Sequence, residues 1–449
     1  MTGTYLKGWG GTSPTVADVV RPNDREAIRR TIAAAGPRGT ITRGLGRSYG
    51  DPAQNAGGTV LDLTGWDAIL DVDTRAPSVR VQAGISIDCL LRAMLPLGLW
   101  LPVVPGTRQV TVGGAIAADV HGKNHHVDGS FGNHVESMDL MLASGDIVTL
   151  SPGDDDPALF WATIGGMGLT GIVLEATVRL KRVETSYFVV DTERTPDLAT
   201  LLERLVSGDS AYTYSVAWFD TATRGDALGR SVITRGNTAS VADLDPDRRG
   251  HALDFAASQR GRVPFNLPMS MVNRLSARAF NALWYAKAPR HRIGEIQDIT
   301  QFFHPLDIIG DWNRLYGPHG FCQYQFVVPD DEQAAFTAAV EQIASSGHVS
   351  SLNVLKRFGQ ANPSPLSFPQ PGWTLAVDLP VRSGLDRLLS HLDSVVVAAG
   401  GRVYLAKDSR TTATTLRHMY PRLEEFLAVR RRVDPAGVLR SDLSRRLDL

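Results

Sequence analysis

Between Thr107 and Gly132 the chain reads TRQVTVGGAIAADVHGKNHHVDGSFG, and this stretch restricts the possible folds more than any other. Two adjacent glycines, Gly113 and Gly114, open a small-residue helical pattern through Ala115, Ala117 and Ala118. Glycines at a helix start let the backbone come close to a bound group, and the free N–H groups and dipole there favour an anion. A pyrophosphate is the natural occupant; tight helix packing without a ligand is the alternative. A histidine cluster follows: His121, His125 and His126, with Asp119 and Asp128 nearby. Histidines four apart on a helix can share a metal. Gly122 breaks the helix between them, however, and no H-E-x-x-H pattern occurs, so no metal is expected. Histidines hydrogen-bonded around a ligand are the expectation.

A second glycine-rich stretch, RGLGRSYGD (Arg43 to Asp51), resembles a dinucleotide fingerprint in its Gly44, Gly46 and Gly50. That fingerprint must open a helix and lead to an acidic residue about 20 positions on. Here the chain continues Asp51-Pro52-Ala53-Gln54-Asn55, which is no helix start, so a Rossmann fold is rejected. A glycine turn after a strand can still cradle phosphate in a backbone nest. With Gly165, Gly166, Gly168 and Gly171 forming a third turn, the glycines suit a long diphosphate ligand. No G-x-S-x-G motif supports serine hydrolysis. Lys407 and Asp408 follow an expected strand, Arg402 to Leu405, where a lysine beside a cofactor could polarise a substrate oxygen.

A chain of 449 residues is long for one core, so two domains are expected. The net charge of −1 argues against a dedicated nucleic-acid binder. The two cysteines, Cys89 and Cys322, exclude a disulfide scaffold and a multi-cysteine metal site. The start, MTGTYLKGWGG, lacks a basic region and apolar run, so no secretory signal is expected. No apolar run approaches the roughly 20 residues that span a bilayer.

Asn23 or Asp24 can cap a helix through Ala27, Ile28, Ile32 and Ala33 that Gly36 and Pro37 end. Strands are expected at Thr40–Thr42, Thr59–Leu63 and Ser78–Ala83, a helix at Ile87–Leu95 and a hairpin over Leu140–Leu150. A helix from Pro157 to Ile164 leads into the third glycine turn and a strand. Beyond Val183 longer alternating strands appear at Tyr212–Phe219, Phe321–Val328, Val354–Phe358 and Trp373–Asp378, with a helix at Asp331–Ser345. The pattern is an α+β first domain, then an antiparallel sheet with flanking helices, then a basic helical tail from Tyr404. One segment stands apart. Ser258 to Gly294 holds no acidic residue but carries Arg260, Arg262, Arg274, Arg278, Lys287, Arg290 and Arg292 among Phe265, Leu267, Met269, Met271, Leu275, Phe280, Leu283, Trp284 and Tyr285. Such a composition suits a surface that meets anionic lipid, or a partly buried helix pair with a basic face.

These motifs, with LPVVPGTRQVTVGGAIAADVHGKNHHVDGSFGNHV, LFWATIGGMGLTGI, TQFFHPLD, QYQFVVP, YLAKDSRTT and VRRRVDPAGV, resemble the vanillyl-alcohol-oxidase (FAD-binding type 4) superfamily of flavoproteins. Within it they are most similar to the decaprenylphosphoryl-β-D-ribose 2′-oxidase family, from GWGGTSP at Gly8 to the end. The resemblance implies a two-domain fold, with an FAD-binding domain from residues 1–185 and 402–449 and a substrate domain at 186–401. It implies that Thr42, Arg43, Gly44, Leu45, Gly46, Arg47, Ser48, Tyr49, Gly50, Asp51, Pro52 and Thr111, Val112, Gly113, Gly114 hold the FAD diphosphate. Gly106, Ala118, Asp119, Val120, His121, Val173 and Tyr404 would line the rest. Many relatives bind FAD covalently through a histidine in the first turn; Arg47 stands there, so non-covalent FAD is expected.

The implied reaction oxidises the ribose 2′-hydroxyl of a polyprenyl-phosphate sugar lipid to a ketone, with hydride passing to FAD. A separate NAD(P)H-dependent reductase would then complete epimerisation to the arabinose lipid used for cell-wall arabinan. Tyr49, Lys123, Gln323, Gln325, Lys356, Asp378, Ala376 and Phe303 would surround the substrate, with Lys407 and His121 as catalytic residues. Ala376 stands where a cysteine is common and Phe303 where a tyrosine is, which alters pocket shape rather than reaction type. The basic apolar segment would be a mobile cover of the pocket mouth at a membrane surface. The expected location is cytoplasmic or peripheral at the inner membrane, with the periplasmic face open as an alternative. A soluble sugar or alditol oxidase on the same scaffold is the runner-up, and a flavin-binding protein without turnover the third reading.

Overall fold

A computed structural model describes residues 3–255, 257 and 259–449; Ser258, where the basic apolar segment begins, lies outside the described residues. Two small sheets build the first lobe. One takes strands Thr4–Leu6, Thr15–Val20, Thr59–Asp62 and Thr40–Arg43 in that spatial order, the last two parallel to each other. The other is antiparallel in the order Ile69–Asp73, Ser78–Gln82, Ile172–Arg179, Val135–Met141, Ile147–Leu150. Helix Arg25–Ala33 starts where Asp24 accepts from the Ala27 amide, and it buries Ile28 and Ile32 against the first sheet. Helix Ile87–Met94 buries Ile87, Leu90, Leu91 and Met94 in the core of the second.

The second lobe is one antiparallel sheet of eight strands: His291–Asp298, Tyr187–Thr195, Ser231–Thr238, Tyr214–Phe219, Asn353–Phe358, Gly372–Pro380, Phe321–Pro329 and Arg402–Val403. Side chains alternate between the faces of a strand. Ala217, Phe219, Ile233, Leu355, Leu375 and Phe326 turn toward helices Leu198–Gly208, Gln333–Ser345 and Leu385–Ala398 and form the main core. The intervening residues face a cavity between the lobes. The expected strand at 402–405 is the two-residue edge strand Arg402–Val403, paired with Phe326 and Val327. The chain then crosses to the first lobe. There Arg446 binds Asp51 at 2.7 Å and Asp408 at 2.8 Å, and Leu439 joins the core of the first sheet.

The basic apolar segment is not a helix pair. It contains the short strand Gly261–Arg262, one helix, Arg274–Lys287, and the start of the edge strand His291–Asp298. Among the described residues no helix is long and apolar enough to cross a membrane.

Candidate active site

The cavity between the lobes has a volume of about 1130 Å³, at or above the ~300–1,000 Å³ usual for small-molecule sites. Its first-lobe wall is the turn Thr42–Tyr49 with Pro52, Gly106, Thr111, Gly113, Gly114, Ala118, Val120, His121 and Val173, and Tyr404 from the tail. Gly46 sits at φ +65°, and a side chain there would strike the Arg43 guanidinium. The amides of Leu45, Gly46, Arg47 and Ser48 donate to no protein acceptor among the described residues, which leaves a row of donors at the cavity wall. The amides of Gly113 and Gly114 are instead taken by the Ala83 carbonyl and the Thr111 hydroxyl. The 44–48 turn therefore offers free backbone donors to the cavity, and Gly113–Gly114 offers close approach without them.

Four of the residues expected to touch the cofactor stand behind this wall. Gly50 packs so tightly on Asp408 that a Cβ would lie 1.8 Å from its carbonyl oxygen. Asp51 is tied to Arg446, and Val112 is fully buried in the first-lobe core. Asp119 accepts from Ser130, Ser367, Asn362 and the Gly132 amide; burial raises its pKa, and these four bonds oppose the rise.

The histidine cluster splits. His125 Nδ1 accepts from the Gly359 amide at 3.2 Å, and His126 Nε2 meets the Tyr212 carbonyl at 3.0 Å. Both thus join the lobes rather than converge on an ion, and among the described residues no metal-ligating cluster forms. Only His121 faces the cavity, in a box of Phe358, Phe368 and Tyr404. Burial, reinforced by Lys356, His125 and Lys407, holds its pKa far below the usual value, so it is neutral. The Gln325 amide donates to its Nε2 at 2.9 Å, which places the ring proton on Nδ1. That buried Nδ1 has no partner among the described residues.

The second-lobe wall is one face of the large sheet, and register assigns each position. Gln325 pairs with Ala376, Ala376 with Val354, Val354 with Trp218 and Trp218 with Val232. One row thus runs across five strands from a polar end to an apolar one. Gln323 pairs with Asp378 in the next row, and its amide binds Asp378 Oδ1. Asp378 Oδ2 is buried without a partner among the described residues. Burial pushes the Asp378 carboxyl up and the neighbouring Lys407 ammonium down, while their mutual attraction opposes both shifts. Lys407 Nζ lies 3.8 Å from the Tyr49 ring centre. The contact is local in origin, because the Tyr49 amide binds the Ala406 carbonyl and so docks the glycine turn on the tail.

Lys123 donates to the Phe302 carbonyl and Lys356 to the Gly122 carbonyl. Burial lowers each ammonium to a pKa of about 7. Phe303 packs between Phe188, Tyr214 and Trp100 beside them. Every residue expected around the substrate therefore lines this one cavity: Tyr49, Lys123, Phe303, Gln323, Gln325, Lys356, Ala376, Asp378 and Lys407. Sequence reading missed the apolar extension, Val216, Trp218, Val232 and Val354 beneath Phe280 and Trp284. Alternation in Tyr212–Phe219 was the signal, but which face met a cavity depended on pairings invisible in the sequence.

Residues 16–151 match the model of an FAD binding domain, and residues 378–447 that of D-arabinono-1,4-lactone oxidase. The chain is 49% identical over 448 residues to decaprenylphosphoryl-beta-D-ribose oxidase of Mycolicibacterium smegmatis, covering 99% of this chain and 97% of that one. It is 24% identical to alditol oxidase of a Streptomyces species, covering 97% and 96%. It is 23% identical to L-gulono-1,4-lactone dehydrogenase of Mycobacterium tuberculosis, covering 96% and 95%. The fold, the glycine-walled cavity and these matches define an FAD-dependent oxidoreductase of the vanillyl-alcohol-oxidase type. The chain belongs to the decaprenylphosphoryl-β-D-ribose oxidase family of that class. The free-donor turn and the orphaned His121 Nδ1 fit such a cofactor.

Proposed function

We propose that the protein oxidises the ribose 2′-hydroxyl of decaprenylphosphoryl-β-D-ribose to the 2′-ketone. The observation that carries the reading is the row across the sheet. Its polar end, Gln325 and Ala376 beside Asp378, Lys356 and Lys407, suits a sugar phosphate; its apolar end, Trp218 and Val232, suits a lipid chain. FAD, when bound, accepts the hydride. The 44–48 turn would hold its diphosphate and His121 Nδ1 would donate to it. Arg47, stacked 4.0 Å over Trp9, offers no site for a covalent link, so acid precipitation should release the flavin.

The protein's own part is to bind, orient and take a proton. Lys123 and Lys356 regain full charge against the substrate phosphate. Losing hydride from a secondary alcohol also requires losing the hydroxyl proton. Asp378 Oδ2, held by Gln323 through its other oxygen and partnerless, is the acceptor; Lys407 beside it stabilises the carboxylate. Of the two groups named from sequence, Lys407 keeps this supporting part. His121 Nε2 is occupied and its Nδ1 carries the proton, so His121 acts as a donor. A separate nicotinamide-dependent reductase working on the ketone would complete an epimerisation. Anaerobic bleaching of the flavin by the lipid tests the reading. Bleaching by free alditols alone would assign the chain to the runner-up class.

A further inference from the structure

We propose that Asp119 is a positioning residue: its carboxylate ties the second-lobe loop 359–371 to the bend at 118–121, and that tie aims the His121 ring at the cofactor. The inference rests on the reading of His121 as a hydrogen-bond donor to FAD. Asp119 is fully buried behind the cavity wall, yet its neighbours Ala118, Val120 and His121 all line the cavity. Its backbone lies in the left-handed region at φ +41°, which few residues other than glycine adopt. Such a conformation persists only where the surrounding contacts over-determine it. Here it closes helix Val112–Ala117 in a tight bend. The amides of Asp119 and Val120 return to the carbonyls of Ile116 and Ala115, each at 3.0 Å. The Ala118 carbonyl accepts from the Tyr404 hydroxyl at 2.8 Å, and Val120 and His121 come out facing the cavity.

The carboxylate collects donors from both lobes. The first lobe gives the Gly132 amide at 2.9 Å and the Ser130 hydroxyl at 2.8 Å. The second gives the Asn362 amide at 2.8 Å and the Ser367 hydroxyl. These donors adjoin the surroundings of His121. Ser130 pairs with His121 in an isolated backbone bridge. Ser367 precedes Phe368, whose ring lies 5.6 Å from that of His121 and stacks on Tyr404 at 4.8 Å. The loop itself starts after Phe358, 4.8 Å from the His121 ring. Among the described residues His121 has one side-chain hydrogen bond, from Gln325 to Nε2. One bond fixes one atom and leaves the ring free to pivot about it; the aromatic walls stop the pivot and aim Nδ1. A carboxylate is the group for this place because it accepts all four bonds and donates none. An amide NH2 at Oδ2 would face the Asn362 NH2, and the loop carrying Phe368 would loosen.

The test is the flavin midpoint potential, measured by dye equilibration on the FAD-loaded protein with no substrate present. A hydrogen bond donated to the cofactor favours its reduced, more negative form, so a misaimed donor lowers the potential. Asp119→Asn should lower it by about 30 mV, the two-electron equivalent of a tenfold change, and His121→Ala should do the same. In the His121→Ala background Asp119→Asn should bring no further fall. Removing a buried negative charge would by itself raise the potential, with or without His121. A rise with His121 present would therefore overturn the inference, as would an unchanged potential or an equal fall in both backgrounds. Ser367→Ala alters no charge and keeps the carboxylate. It should lower the potential by about 15 mV, equivalent to about threefold, again only with His121 present, and it decides the matter if Asp119→Asn does not fold. Ser367→Ala at the wild-type potential would overturn the inference. His121→Ala at the wild-type potential would fell the donor reading and the inference with it; a fall in His121→Ala alone would fell only the inference.

Discussion

Replacing Asp378 by Asn isolates the proton-transfer step. The two side chains have the same shape. Asn can still accept the Gln323 amide through its oxygen, but an NH2 then occupies the place of the partnerless Oδ2, and a donor there cannot take a proton. Losing a positioned general base costs about a hundred- to ten-thousandfold, or about 3–5 kcal/mol of barrier. Folding should not suffer, because burial already disfavours this carboxylate and Asn removes its charge. The assay is stopped-flow flavin reduction under anaerobic, saturating substrate. A base works deprotonated, so the wild-type rate should climb as pH rises through a pKa that burial has lifted toward neutrality. In Asp378→Asn the rate should fall by that factor and the climb should vanish, with substrate Kd little changed. A variant that reduces its flavin within about threefold of wild type, with the same pH rise, would refute the assignment and pass the proton to Lys407.

Lys356→Met should weaken lipid-phosphate binding by about tenfold or more with FAD retained, measured as Kd by flavin difference spectra. Lys123 and Lys356 are both held near a pKa of about 7 and bind an anion only when protonated, so wild-type affinity should fall as pH rises above about 7. Gly44→Ala puts a Cβ 2.3 Å from Thr111 Oγ1, the cap of the helix Val112–Ala117, and should cost about 1–3 kcal/mol in thermal stability. Arg446→Met leaves Asp51 and Asp408 buried without their cation and should cost about 3–5 kcal/mol near neutral pH. Arg446 holds the Asp408 pKa below its usual value against burial, so its stabilisation is present at neutral pH and fades as pH falls; the variant's deficit should shrink in acid. Intact-mass analysis should find no adduct at position 376 with a thiol-directed inhibitor, and Ala376→Cys should create one in the cavity wall.

Local signals were legible where they were chemical. The cap at Asp24, the glycine turns and the alternation in Phe321–Val328 each show a cause within a few residues. Strands without a clean apolar face escaped: ILDVD at Ile69–Asp73 is an exposed edge, and YFVVDTERT at Tyr187–Thr195 mixes charge into its alternation. Ser231–Thr238 and His291–Asp298 went unread for the same reason. Asp119 is a cofactor residue by the resemblance alone; its partners Asn362 and Ser367, which hold it behind the cavity wall, lie 243 and 248 positions away. The sheet row from Gln325 to Val232 was equally out of reach, since five strands must pair in register before it exists. The basic apolar segment was legible as composition, but the inversion of its helix, with leucines outward and Asn281 inward, belongs to the structure.

The most direct test of the whole account is an anaerobic titration of the purified yellow protein with polyprenylphosphoryl ribose, following the visible flavin band. Stoichiometric bleaching with this lipid, and a 2′-keto sugar as product, is the expected result. A protein that stays oxidised with the lipid yet bleaches with a free sugar or alditol would contradict it.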